Sequence, residues 1–284
     1  MKVTVVADAR TFLDRTHSFR SQEPYLTHVM GTVATSVAAG QRSYEKMWWW
    51  VSEDADGAVR GIMMRTTPHK LVLSPMPREA VELAVAAVVD VDPEIPGVAG
   101  STELVESFLT QFITLSDRAL QTRIEHNLLV YVLGSLRPAP PSTGYWRSGQ
   151  LRDFELLLTW WTGFADDTNI ERHGLEEGLR ASLVDGRIHL WMNADRPVCA
   201  VGHSTVLDVS SGQVARIGPV YTPPEERRKG YAGQLTAAVS SQLLEQGIGP
   251  MLFTDATNPT ANAVYTRLGY ERVGEMVECA LEPV

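Results

Sequence analysis

The segment Gly218-Pro-Val-Tyr-Thr-Pro-Pro-Glu-Glu-Arg-Arg-Lys-Gly-Tyr-Ala232 decides how this chain is read. Its opening residues continue the run Ala215 to Tyr221, which has the character of a strand. Pro223 and Pro224 then force a turn, because proline fixes φ and has no backbone N–H to donate. From Gly230 the pattern becomes helical, with Tyr231, Leu235, Ala238, Val239, Gln242 and Leu243 on one face as far as Gln246. Gly247 and Gly249 supply the stop. A helix entered through such a turn leaves its first amides unpaired and pointing outward. With the helix dipole behind them these amides form an anion site, and Gly230 and Ala232 let a phosphate approach the backbone closely. Arg227, Arg228 and Lys229 bring positive charge to that spot in a chain whose formal net charge is −9. A diphosphate ligand suits the combination.

Two common diphosphate readers are excluded. A mononucleotide P-loop needs Gly-x-x-x-x-Gly-Lys-Ser/Thr, and a dinucleotide fold needs Gly-x-Gly-x-x-Gly after the first strand of a βαβ unit; neither is present. What stands here is Arg227-x-x-Gly230-x-Ala232, which resembles the Gln/Arg-x-x-Gly-x-Gly/Ala signature of the GNAT acyltransferases. The preceding Val220-Tyr-Thr-Pro-Pro-Glu225 resembles the strand and turn that lead into it. Farther on, Asn258-Pro-Thr-Ala-Asn-Ala-Val-Tyr-Thr-Arg-Leu-Gly-Tyr270 resembles the family's second signature, Asn-x-x-(Ala)-x-x-Tyr-x-x-x-Gly-Phe/Tyr. The resemblance covers Gly144 to Val284.

That resemblance implies an N-acetyltransferase with acetyl-CoA as co-substrate and a small-molecule amine or a peptide amine as acceptor. The amine attacks the thioester directly, through a tetrahedral intermediate. The main chain of Val220 and Thr222 would pair with the pantetheine arm, and the amides from Arg228 through Lys229, Gly230 and Tyr231 to Ala232 would hold the pyrophosphate, with Arg227 adding charge. A backbone N–H near Val220 or Tyr221 would meet the oxyanion. Asn258 or Asn262 would contact the arm from the far side, and Asn258 equally reads as a helix N-cap. Tyr265 aligns with the family's general acid, its other reading being core packing beside Leu268. An amine with a pKa near about 10.4 must also lose a proton. His203, on the neighbouring strand, is the candidate base, with a structural histidine or a water path as the other readings. Glu225 and Glu226 read as solvated. Trp160 and Trp161 sit where an acceptor pocket would be, with one of the pair facing the core.

The 284 residues suit two domains, and the prolines of Leu136-Arg-Pro-Ala-Pro-Pro-Ser-Thr-Gly144 mark the break. The expected fold is α/β (α+β): tandem GNAT-like domains, each a mixed, mainly antiparallel sheet flanked by helices. Residues 1–137 form a degenerate domain without the cofactor motif, 138–144 a proline-rich linker, and 145–284 the catalytic domain. In the second half, Arg152–Phe164 and Glu171–Val184 read as helices, and Arg187–Asn193, Val198–Val209 and Ala215–Tyr221 as strands. Met251–Thr254 and Tyr270–Leu281 follow as strands around a short helix, Thr260–Leu268. The first half repeats the order loosely, with strands at Met47–Val51, Val59–Thr66, Lys70–Leu73 and Ile124–Val132 and helices at Glu79–Val89 and Leu104–Ile113. An unrelated α/β domain is the other reading of that half. After Leu73 it offers Ser-Pro-Met-Pro-Arg-Glu-Ala80, with no glycine to admit a phosphate.

The acidic charge argues against a nucleic-acid partner and favours cationic acceptors; an acidic acceptor cleft would point to an aminoglycoside-type enzyme. No Cys/His cluster has metal-ligand spacing, so no metal is expected. Met1 to Ala9 lacks the features of a signal peptide and no run is apolar enough to span a membrane, so a cytoplasmic location without membrane contact is expected. A homodimer through the first half stays open. The alternative from a different class is a non-catalytic acyl-CoA-binding regulatory module.

Overall fold

The computed structural model describes residues 1–170 and 172–284. The first half runs β1 (Lys2–Val6), α1 (Ala9–Gln22), α2 (His28–Ala38), β2 (Met47–Glu53), β3 (Val59–Thr66), β4 (Leu71–Leu73), α3 (Arg78–Val91), β5 (Gly97–Gly100), α4 (Thr102–Ser116) and β6 (Leu120–Leu133). The second half runs β7 (Tyr145–Ser148), α5 (Phe154–Thr168), α6 (Leu175–Val184), β8 (Ile188–Asn193), β9 (Arg196–His203), β10 (Leu207–Val209), β11 (Gly212–Tyr221), α7 (Tyr231–Glu245), β12 (Ile248–Asp255), α8 (Pro259–Leu268) and β13 (Tyr270–Pro283). Apart from the short β10, the two orders are the same.

These strands form one open sheet in the order β1-β2-β3-β4-β5-β13-β6-β12-β11-β9-β8-β7, with β10 paired to β11. Replacing each strand by its counterpart in the other half reverses the order onto itself. The pairing is antiparallel except at β4–β5 and β11–β12. The two long final strands are exchanged. β6 lies between β12 and β13, and β13 lies between β5 and β6. Where β13 meets β5, Gly97 is required by space, since a Cβ there would lie 2.1 Å from the Cys279 carbonyl oxygen.

Helices cover both faces because each strand alternates its side chains between them. In the first half Phe12 of α1 and Met30 of α2 pack on Trp49, Val51 and Ile62. On the opposite face Val81 of α3 and Phe108 of α4 pack on Trp50, Met63 and Val98. The Trp48-Trp-Trp50 run therefore divides as its alternation requires. Trp49 sits 5.0 Å from Phe12, while Trp48 and Trp50 stack on each other at 6.4 Å. In the second half α5 and α6 cover one face, and Leu235 and Val239 of α7 with Leu268 of α8 cover the other.

The observed elements extend most sequence expectations and correct some. β1, α1, α2, β5 and β7 were not anticipated. The run Val198–Val209 is broken after His203, where Ser204 Oγ accepts from the Arg216 amide and interrupts the strand. The helix expected over Glu171–Val184 begins at Leu175; Glu171 lies outside the described residues. Residues 138–144 lie in coil between β6 and β7 and are fastened to the second half. Trp191 Nε1 donates to the Thr143 carbonyl (2.9 Å), and Gln234 Nε2 donates to the Pro140 carbonyl (2.5 Å).

Candidate active site

β11 and β12 run in parallel register from Gln213↔Ile248 to Ile217↔Leu252 and then part. Beyond Ile217 the register of β11 shifts, and Val220 and Tyr221 stay with Val201 and Ala200 of β9. Meanwhile Phe253, Thr254 and Asp255 continue along β6. Two strand edges thus face each other unpaired, a slot in which an extended ligand finds backbone donors and acceptors.

At the end of this wedge the chain makes a single 3₁₀ turn (Pro224–Glu226), passes through left-handed Arg228 (φ 65°) and Gly230 (φ 83°), and enters α7. Among the described residues, none of the amides from Arg228 to Gly233 has a hydrogen-bond acceptor; the ladder of α7 begins with Gln234 N–H donating to the Gly230 carbonyl. Gly230 is needed for its φ, and the space beside it is open, since a Cβ would meet only Ser142, at 3.7 Å. The equivalent connection in the first half is four residues long, Ser74 to Pro77. There the Ser74 hydroxyl accepts from the Ile62 amide (2.8 Å) and donates to the Pro75 carbonyl (2.9 Å), and α3 is capped by a proline. This connection contains no glycine and no left-handed residue.

The three cations of the turn differ in their commitments. Arg227 donates to the Thr222 carbonyl (2.9 Å) and pairs with Asp167 of α5 (2.5 Å). Lys229 pairs with Glu226 (2.8 Å), which also holds Arg196 (2.7 Å). Arg228 has no ion pair among the described residues. Glu226 is therefore not the solvated side chain that was expected. It is buried, and its bond to Lys229 holds its carboxyl below the usual carboxylate range.

The second signature closes the other side. Asn258 caps α8, its Oδ1 accepting from the Ala261 amide (3.0 Å). Asn262 donates Nδ2 to the Asp255 carbonyl (3.1 Å) at the tip of β12, which leaves its buried Oδ1 without a partner. Tyr265 is buried beside Tyr270, ring centroids 6.1 Å apart. Burial, and secondarily Cys199, push its phenol pKa well up. Cys199 is itself pushed up to about 12 by burial, and the Thr222 side chain lies against it. Tyr265, Cys199 and Thr222 therefore cluster where β11 ends.

Comparison with known proteins follows this geometry. The family described as FR47-like protein matches residues 207–278, the stretch from β10 to β13. Over 74 residues, 25% of the chain, it is 38% identical to the mycothiol acetyltransferase of Kocuria rhizophila, and the match spans 24% of that protein's length. An acetyltransferase of the GNAT family from Colwellia psychrerythraea superposes with a TM-score of 0.63 at 12% identity, over 99% of this chain and 100% of the other. A GCN5-related N-acetyltransferase from Sphaerobacter thermophilus gives 0.61 at 13%, over 99% and 95%. The chain has the fold of these acetyltransferases, and residues 207–278 resemble the FR47-like family in sequence.

On the face of the sheet that carries α5 and α6, a cleft of about 470 Å³ reaches Gly218 and Pro219, where β11 leaves β12. His203 and Trp161 line it, while Trp160 packs against Tyr221 (6.3 Å). His203 Nδ1 lies 2.9 Å from the Ser204 carbonyl, which places the ring proton there and leaves Nε2 its lone pair. Burial lowers the His203 pKa. The opposite wall comes from the first half: Thr32 and Ser36 of α2, Arg42, Tyr44 and His69. Sequence reasoning missed this wall. Its residues carry no local motif, and only the exchange of β6 and β13 brings them to β11. Among the described residues no carboxylate lines the cleft.

Proposed function

We propose that the chain moves an acetyl group from acetyl-CoA to a primary amine. The observation that carries this reading is the run of six unpartnered amides, Arg228 to Gly233, at the end of two parted parallel strands. Acetyl-CoA supplies the activated thioester. The protein's task is to hold an extended arm and a diphosphate, and the residues present fit both. The main chain of Val220, Tyr221 and Thr222 borders the wedge, and the amides through Ala232, with Arg228 beside them, receive the phosphates. Asn262 Oδ1 is a buried acceptor without a partner among the described residues, whereas Asn258 is spent on its cap.

Tyr265 holds a proton at Oη and delivers it to the departing sulfur. Its raised pKa keeps it protonated at any pH at which the protein works. His203, neutral near pH 7, receives the amine's proton at Nε2 from within the cleft. The direct test is calorimetric titration with acetyl-CoA, followed by a thiol-release assay on an amine panel. Binding at one site per chain with release on adding an amine supports the reading. Binding without release under any acceptor leaves the regulatory module, and absence of binding overturns both.

A further inference from the structure

The cleft beside Gly218 is strongly basic although the chain is acidic overall. Its cations are not equally available. Lys70 is paired with Glu125 (2.8 Å) and Glu278 (3.3 Å), and Arg187 with Asp185 (2.9 Å). Arg216 and Arg42 have no carboxylate within ion-pairing distance among the described residues. Arg216 stands two residues before Gly218 on β11. Its guanidinium lies over the Phe253 ring at 5.3 Å, and its buried Nε has no hydrogen-bond partner. Arg42 crosses from the first half toward α6, where its Nη2 would lie 3.0 Å from a Cβ built on Gly178. Burial lowers the Arg216 pKa, the Arg42 charge acts in the same direction, and Glu278, itself paired with Lys70, opposes them from beyond ion-pairing distance. A desolvated cation facing a like charge is costly unless an anion joins them. Arginine forks match the oxygens of carboxylates and phosphates.

We propose that the acceptor amine carries an anionic group, a carboxylate or a phosphate, held between Arg42 of the first half and Arg216 of the second. This rests on the acetyl-transfer reading for the word acceptor, and on the arginine pair alone for the anion. The motif-free half thus supplies one side of the substrate site. The clamp sits beside the bulge of β11, so a molecule gripped there presents its amine toward the parted strands and His203.

The test uses matched pairs of amines: α-amino acids against their primary amides, and amino sugar phosphates against the parent amino sugars. Each is titrated into the full chain without acetyl-CoA and then assayed for acetyl transfer. The anionic member of at least one pair should bind about tenfold tighter or more, the pair that responds telling carboxylate from phosphate. Arg42→Gln and Arg216→Gln should each erase that preference and leave acetyl-CoA affinity unchanged. Arg42 is exposed, so its variant remains informative should the Arg216 variant fold poorly. Equal binding of charged and neutral members, or a preference that survives both substitutions, overturns the clamp. Anion preference in a chain that does not bind acetyl-CoA leaves the clamp standing and removes the transferase reading.

Discussion

At the scale of single residues, the candidate site depends on a few side chains with separable duties. Gly230→Asp places a carboxylate where the amides of α7 converge and strains a backbone at φ 83°. Acetyl-CoA affinity should fall by about 100-fold or more, about 3 kcal/mol, read by calorimetry. Tyr265→Phe keeps the ring packed on Tyr270 and removes only the proton. The expected result is a kcat lower by about 100-fold with acetyl-CoA affinity unchanged. His203 must be neutral to accept a proton, and burial lowers its pKa, so the working form persists below the ordinary imidazole value of about 6.5. The acid limb of the kcat/KM profile should lie below that value, with activity rising as pH increases through it. In His203→Gln that limb should disappear.

At the scale of elements, the two asparagines of α8 illustrate what a sequence does and does not disclose. Asn258 begins a short helix and reads both as a cap and as a ligand contact. The structure places its oxygen on the Ala261 amide. Asn258→Ala should cost about 1 kcal/mol of stability with little change in acetyl-CoA affinity, while Asn262→Ala should weaken binding. Thermal melts and calorimetry separate the two. The strand, turn and helix from Gly218 to Gln246 were legible because proline, glycine and periodicity all point one way there. α1 and α2 were not. Ala9–Gln22 has few apolar residues, and His28–Ala38 mixes glycine with β-branched residues, so neither announces a helix. Packing on Trp49, Val51 and Ile62 decides their conformation instead. The break after His203 depends on Ser204 reaching across to β11, a contact with no local signature.

At the scale of the whole molecule, the repeated order of elements was visible in outline, whereas the exchange of β6 and β13 was not. Both strands read as ordinary final strands of their own halves, and pairing partners leave no periodicity behind. The exchange makes the halves interdependent. Residues 145–284 expressed alone should lack β6 between β12 and β13 and should remain aggregated or poorly ordered; co-expression with 1–144 should restore soluble protein, read by gel filtration and circular dichroism. Acid should also unfold the molecule early. His28 and His189 are buried, with pKa values lowered by burial to about 3 and about 4. Stability is complete above about pH 6.5, where both states are neutral. It declines below that as the unfolded chain takes up protons that the folded one refuses, by up to about 1.4 kcal/mol per pH unit for each histidine. Melting temperature measured from pH 7.5 to 4.5 checks this.

The central strands also impose a timetable on the ribosome. β6 is complete at Leu133, but β12 and β13, between which it fits, arrive only at residues 248–283. At roughly 5–20 residues per second, a long strand waits on the order of ten seconds with both edges bare. During that interval a neighbouring nascent chain on the same message presents the same unpaired edges. Slower translation of the second half should therefore raise the yield of tangled, mutually strand-swapped chains without altering a single contact of the finished protein.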